Sequence, residues 1–165
     1  MKTIIREIQK QDNPIIENVI RTVLIEFGVN RPGTAFYDES LKHLYESYTT
    51  SKSIYFVALV DGEIIGGAGI FQTDGLPEDT CELVKMYLLP KARGLGLGRE
   101  LITKCMAFAK EKGYKKIYLE TMAELQSAVK IYQKLGFQNL TQALGNTGHF
   151  ACTIRMIRDI HQHAL

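Results

Sequence analysis

From Arg93 to Arg99 the chain reads Arg-Gly-Leu-Gly-Leu-Gly-Arg, three glycines in five positions with an arginine on either side. Glycines leave backbone amides uncovered and admit positive φ, so a loop of this composition can wrap an anion. It follows an apolar run ending at Pro90 and opens an amphipathic run, which puts it at the N-terminus of a helix. Unpaired amides and the positive end of the helix dipole favour a phosphate there. Arg93 and Arg99 can add charge-assisted contacts.

Two familiar phosphate loops do not fit. A Walker-type loop needs Lys and then Ser or Thr directly after the glycines, where this chain has Arg99-Glu100. A dinucleotide fingerprint needs G-x-G-x-x-G after the first strand of a parallel sheet. Here the spacing is G-x-G-x-G, in mid-chain and after an antiparallel meander. Two readings stay open from the loop alone: a cradle for the pyrophosphate of coenzyme A, and a glycine-rich turn with no ligand.

The elements that must position this loop are legible from periodicity. "KTIIREIQ" predicts a first strand over 2–9. Asn13-Pro14 gives a cap residue and a first-turn proline, and Ile15, Ile16, Val19, Ile20, Val23, Leu24 and Phe27 recur at helical spacing up to Gly28. "ESLKHLYESY" predicts a shorter helix with Leu41, Leu44, Tyr45 and Tyr48 on one side. "SIYFVALV" and "EIIGGAGIFQ" form a hairpin about Asp61-Gly62. "CELVKMYLL" predicts the strand before the loop, and the helix after it runs to Gly113. "KKIYLETM" is a strand, "AELQSAVKIYQKLG" a helix, and "FQNL" and "HFACTIRMI" two closing strands. The result is a mixed α/β layer fold whose β-α-β step around the loop demands a local parallel pair.

On these residues the chain resembles the GNAT superfamily of acetyl-CoA-dependent N-acetyltransferases. "LVKMYLLPKARGLGLGRELI" is similar to that family's central motif, with Arg93, Gly96 and Gly98 in its three defining places. "AVKIYQKLGF" resembles its second signature, and the order of elements fits over nearly the whole chain. The resemblance implies a mostly antiparallel central sheet flanked by helices, with a splayed parallel pair at the cofactor site. It further implies that the backbone of Met86, Tyr87 and Leu88 binds the acetyl and pantetheine portion of acetyl-CoA. The pyrophosphate would then lie across the amides of Gly94, Leu95, Gly96, Leu97, Gly98 and Arg99.

Amine acetylation needs a neutral amine, a polarised thioester carbonyl and a proton for the departing thiolate. The resemblance assigns the proton donor to Tyr132, whose bland alternative is packing with Leu125, Ala128 and Val129. For the general base it points to Glu82, alternatively a solvent-facing strand residue, with Glu120 as a second candidate. The chain departs from the family pattern at Leu125, where many members carry an asparagine that contacts coenzyme A. Acceptor specificity would come from the loop carrying Arg31, Phe36, Tyr37 and Asp38 and from the segment around His149, which could touch the acceptor or take a proton. The acceptor implied is a small-molecule or peptide amine. A coenzyme A-binding regulatory domain without turnover is the competing reading, and Tyr132 argues against it.

Composition sets the bounds. At 165 residues with 45% hydrophobic and 23% charged residues, the chain is expected to form one domain, 1–165, with a substantial core. A net charge of +2 gives no reason to expect nucleic acid. Cys81, Cys105 and Cys152 have neither disulfide-framework nor metal-ligand spacing, so no metal is expected. No apolar stretch suits a signal peptide or membrane span, so the expectation is a cytoplasmic protein. Exposed strand edges or the C-terminal strand leave a homodimer open.

Overall fold

The computed structural model describes residues 1–161. Seven strands form one sheet in the order β1-β2-β3-β4-β5-β7-β6: β1 (Thr3–Glu7), β2 (Ile54–Val60), β3 (Glu63–Phe71), β4 (Thr80–Leu88), β5 (Lys116–Thr121), β6 (Gln138–Leu140) and β7 (Ile154–Asp159). Every neighbouring pair is antiparallel except β4 and β5. That pair is joined through the helix α3 (Leu97–Glu111), the crossover that a parallel step requires. The C-terminal strand β7 lies between β5 and β6, so the sheet edges are β1 and β6.

Strand β2 reads as a continuous apolar run because both of its faces are covered. Tyr55 and Val57 pack with the helix α1 (Asn13–Glu26), together with Ile16, Ile20 and Leu24. Ile54, Phe56 and Ala58 pack with Leu97, Leu101 and Cys105 of α3 on the other face. Asp61 and Gly62 both take positive φ, 49° and 88°, the turn geometry that matches strand twist in a two-residue hairpin. Helix α3 ends where Gly113, at φ 86°, lets Tyr114 N–H return to the Ala109 carbonyl at 3.0 Å.

Three local expectations change; one is that the closing strand expected over "HFACTIRMI" begins only at Ile154. Asn13 is the first residue of α1 rather than its cap. Its amide group instead donates to Glu46 at 2.8 Å and accepts from the Tyr45 N–H at 2.9 Å, tying α1 to the segment 39–48. That segment is a 3-10 turn, Glu39–His43, followed by one helical turn, α2 (Leu44–Ser47). Its apolar positions Leu41, Leu44 and Tyr48 are buried as the periodicity requires.

The feature that positions the site is a fault in β4. On the β3 side pairing runs to Leu88, but on the β5 side it stops after Glu82. Gly67 lies opposite Tyr87 and Gly69 opposite Val84, so Lys85 and Met86 together face the single residue Ala68. This is a β-bulge, and Lys85 carries it at φ 48°, a left-handed conformation that costs a non-glycine residue roughly 1–2 kcal/mol. Tyr55 holds the bulge in place. Its ring crosses β3 over Gly67 and Gly69, where an added Cβ would stand 2.6 and 2.7 Å from ring carbons, and its hydroxyl donates to the Lys85 carbonyl at 2.8 Å. The glycine-rich run in β3 therefore makes room for a brace.

Candidate active site

Where β4 leaves β5, a cleft of about 410 Å³ opens between α1, the glycine loop and the helix α4 (Gln126–Lys134). Met86, Tyr87 and Leu88 line it from the unpaired side of β4; Arg93, Gly94, Gly96, Leu97, Gly98 and Arg99 line it from the loop and the start of α3. Gly94 and Gly96 both sit at φ 79°, and a Cβ on either would meet no atom within 4 Å. These two glycines thus serve backbone conformation and an open approach, not packing. Gly98 differs, since its Cβ would touch Ile131 at 3.3 Å and Leu88 at 3.4 Å, so it sets how closely α3 approaches α4 and β4. Leu95, 40% exposed, points away from the core. Open amides at a helix start, an unpaired strand edge and an apolar floor suit a ligand with a pyrophosphate and a long amide-bearing arm.

Arg93, which lines the cleft, also carries structural contacts. Its guanidinium makes a two-pronged pair with Glu26 of α1 at 2.6 and 2.7 Å, donates to the Leu88 carbonyl at 2.9 and 3.1 Å, and stacks on Phe27 at 5.0 Å. It locks the loop to α1 and to the end of β4. The cations that line the cleft without an ion-pair partner among the described residues are Arg99 and Lys134.

A second cavity, also about 410 Å³, is polar and shares no lining residue with the first. It is lined by Asp38, Tyr48, Thr73, Glu82, Lys85 and His149, with Glu39, Asp74 and Asn146 among the rest. A narrow space of about 40 Å³ lies between the two: it shares Met86, Tyr87 and Leu125 with the cleft and Glu82, Val84, Lys85 and His149 with the polar pocket, and it adds Tyr132 of α4.

Tyr132 is 5% exposed and rests edge-on against Phe137 at 5.8 Å. Burial pushes its phenol well above the ordinary tyrosine range, so it is protonated at neutral pH. Glu82 is buried, contrary to the solvent-facing alternative, and accepts from the Thr73 hydroxyl at 2.6 Å. Burial raises its carboxyl; the Thr73 hydrogen bond and the neighbouring His149 and Lys85 pull it back only in part, and Glu120 adds to the rise. Glu120 accepts from Tyr118 at 2.6 Å and from Thr147.

His149 Nε2 donates to Asp38, 2.9 and 3.0 Å from its two oxygens, and Lys85 Nζ lies 3.0 Å from the same carboxylate. Burial alone would raise Asp38, but His149 and Lys85 outweigh it and hold the carboxyl below its usual value. The bulge aims Lys85 into this network, leaving its side chain 8% exposed. Of the other residues expected near the acceptor, Phe36 stacks under Arg21 at 4.9 Å and Tyr37 is exposed; neither lines the cleft or the polar pocket. Arg31 pairs with Glu124 at 3.2 Å. The sequence assigns no role to Lys85, Thr73 and Tyr55, and only a packing one to Tyr48; the glycines facing Tyr55 are the one signal.

The site is thus a bulged, half-unpaired strand beside a parallel neighbour, with a glycine loop opening the next helix of a mixed α/β fold. The profile of the Acetyltransferase (GNAT) family matches residues 19–137, and the chain belongs to that family, whose members are acyltransferases. It is 42% identical over 158 residues to an uncharacterized N-acetyltransferase, YjgM, of Escherichia coli K12, covering 95% of each chain. Among solved structures it resembles a GNAT-family acetyltransferase of Staphylococcus aureus, with TM-score 0.80, 21% identity, and 96% of this chain and 99% of that one covered. It also resembles an acetyltransferase of Salmonella typhimurium solved with its cofactor acetyl-CoA, with TM-score 0.74, 20% identity, and 100% and 98% covered. No helix among the described residues is long and apolar enough to cross a membrane.

Proposed function

We propose that this chain transfers the acetyl group of acetyl-CoA to an amine by direct attack in a ternary complex. The observation that carries the reading is the narrow space between cleft and polar pocket, which shares residues with both and which a protonated phenol, Tyr132, and a buried carboxyl group, Glu82, both line. Acetyl-CoA supplies the activated thioester carbonyl. The amides around Gly94, Gly96 and Gly98 hold its pyrophosphate, with Arg99 and Lys134 as the cations within the same cleft. The free side of Met86, Tyr87 and Leu88 holds the pantetheine arm and orients the carbonyl. The amine enters through the polar pocket, and Glu82 takes its proton there. Tyr132 gives a proton to the departing sulfur, and its phenolate regains one from water as products leave.

The test is thiol release by the purified chain with acetyl-CoA and putrescine, tyramine, L-lysine or a peptide with a free N-terminus, the product being identified by mass. At least one N-acetyl product is expected, with intersecting initial-rate lines as acetyl-CoA and amine are varied. Parallel lines would replace direct attack by a covalent acetyl-enzyme. Tyr132→Phe is expected to lower kcat by about 10- to 100-fold while the acetyl-CoA Kd stays within twofold. Equal losses in kcat and affinity would reduce Tyr132 to a packing residue.

A further inference from the structure

We propose that His149, its tautomer fixed by Asp38, is the relay that removes the proton from Glu82 after each transfer. This rests on the reading of Glu82 as the base. Glu82 is 5% exposed, and the acetylated product occupies the same pocket, so a proton taken there has to leave through a neighbouring group. One ring nitrogen of His149 and one oxygen each of Glu82 and Glu120 lie within 4.8 Å of one another, a gap that a single water bridges. Glu120 is already occupied by Tyr118 and Thr147, whereas His149 lines both the narrow space and the open pocket.

The other half of the imidazole is committed. A carboxylate only accepts, so Nε2 donates its proton in a hydrogen bond to Asp38, which leaves Nδ1 as the ring nitrogen to take up and release a second proton. Nδ1 has no protein partner among the described residues, and the His149 backbone N–H is fixed by the Thr147 hydroxyl at 3.1 Å. Lys85, paired with Asp38, stops that carboxylate from turning away. The charged groups facing the ring are therefore Asp38, Lys85, Glu82 and Glu120, drawn from the segment between α1 and α2, from β4 and from β5. The step balances. The amine proton moves to a Glu82 oxygen, then through water to Nδ1. The resulting imidazolium, still donating from Nε2 to Asp38, gives the Nδ1 proton to buffer at the pocket mouth.

The test compares wild type, His149→Gln, His149→Ala and Glu82→Gln, using whichever of the four amines above wild type acetylates. His149→Gln keeps a hydrogen-bonding side chain but takes up no proton, and kcat is expected to fall about tenfold or more with the KM for acetyl-CoA unchanged. His149→Ala is expected to regain kcat saturably as imidazole is added, and Glu82→Gln to gain nothing. A His149→Gln enzyme with full kcat overturns the relay and leaves the transfer reading intact. So does a folded His149→Ala enzyme whose lost activity imidazole fails to restore. Failure of wild type to acetylate any of the amines would sink the transfer reading first, and the relay with it.

Discussion

Gly96→Glu is expected to weaken acetyl-CoA binding by 100-fold or more in a chain that still folds. The fold should tolerate the change because a Cβ at Gly96 meets nothing within 4 Å, leaving only the left-handed φ of 79° to oppose it, at roughly 1–2 kcal/mol. Binding should not tolerate it. Gly96 is the residue from which α3 begins, and the helix N-terminus offers its free amides and partial positive charge there. A tethered carboxylate would satisfy those amides itself and repel the incoming diphosphate. Gly96→Ala separates the two effects, since it carries the backbone strain without the charge. Calorimetric titration with acetyl-CoA checks both, beside circular dichroism to establish folding. A folded Gly96→Glu protein with a Kd within threefold of wild type would remove the pyrophosphate from this loop.

Glu82→Gln should cost about 100-fold or more in kcat with little change in acetyl-CoA affinity, the usual weight of a positioned proton acceptor. The pH profile makes the prediction specific. Burial raises the Glu82 carboxyl above its ordinary value, and a base works only when deprotonated. Wild-type kcat/KM should therefore decline on the acid side at a pH above the usual carboxylate range, and that limb should be missing from the residual activity of Glu82→Gln. Stability should move the other way. A carboxyl whose folded pKa exceeds its unfolded value contributes its full stabilisation below the unfolded value. That contribution is lost as pH rises through the folded one. At neutral pH the variant, which has no charge to bury, should melt no lower than wild type. A Tm several degrees lower would show instead that the ionised carboxylate is a structural partner of Lys85 and His149.

What could be read in the letters was local. Asp61-Gly62, Gly113 and the glycine loop declare their conformations within a few residues, and the β-α-β step around the loop fixes one parallel pair. The β-rich run "CELVKMYLL" gives its strand equally well, but nothing in it marks Lys85 as the left-handed residue, because the cause lies thirty positions away in Tyr55. The pairs that shape the site are more distant still. Asp38 meets His149 across 111 positions, and Arg93 meets Glu26 across 67. Arg93 is instructive: an arginine flanking a glycine loop suggests a phosphate contact, and only the fold reveals the Glu26 pair that it also makes. Glu82 is similar, since a charged residue in a strand reads as solvent-facing until a second covering layer is known.

The gap between β4 and β5 is maintained from within. Tyr55 lies in the core, fully buried, and holds the bulge open through one hydrogen bond passed over two glycines. The enzyme thus does not wait for its substrates to part the sheet, and affinity is not spent on prying it open. The same arrangement places a vulnerability far from either ligand. A single methyl group added at Gly67 would collide with the Phe56 carbonyl at 2.5 Å and with the Tyr55 ring. Lineages that keep every residue touching acetyl-CoA could still lose the activity there, by letting the sheet zip shut.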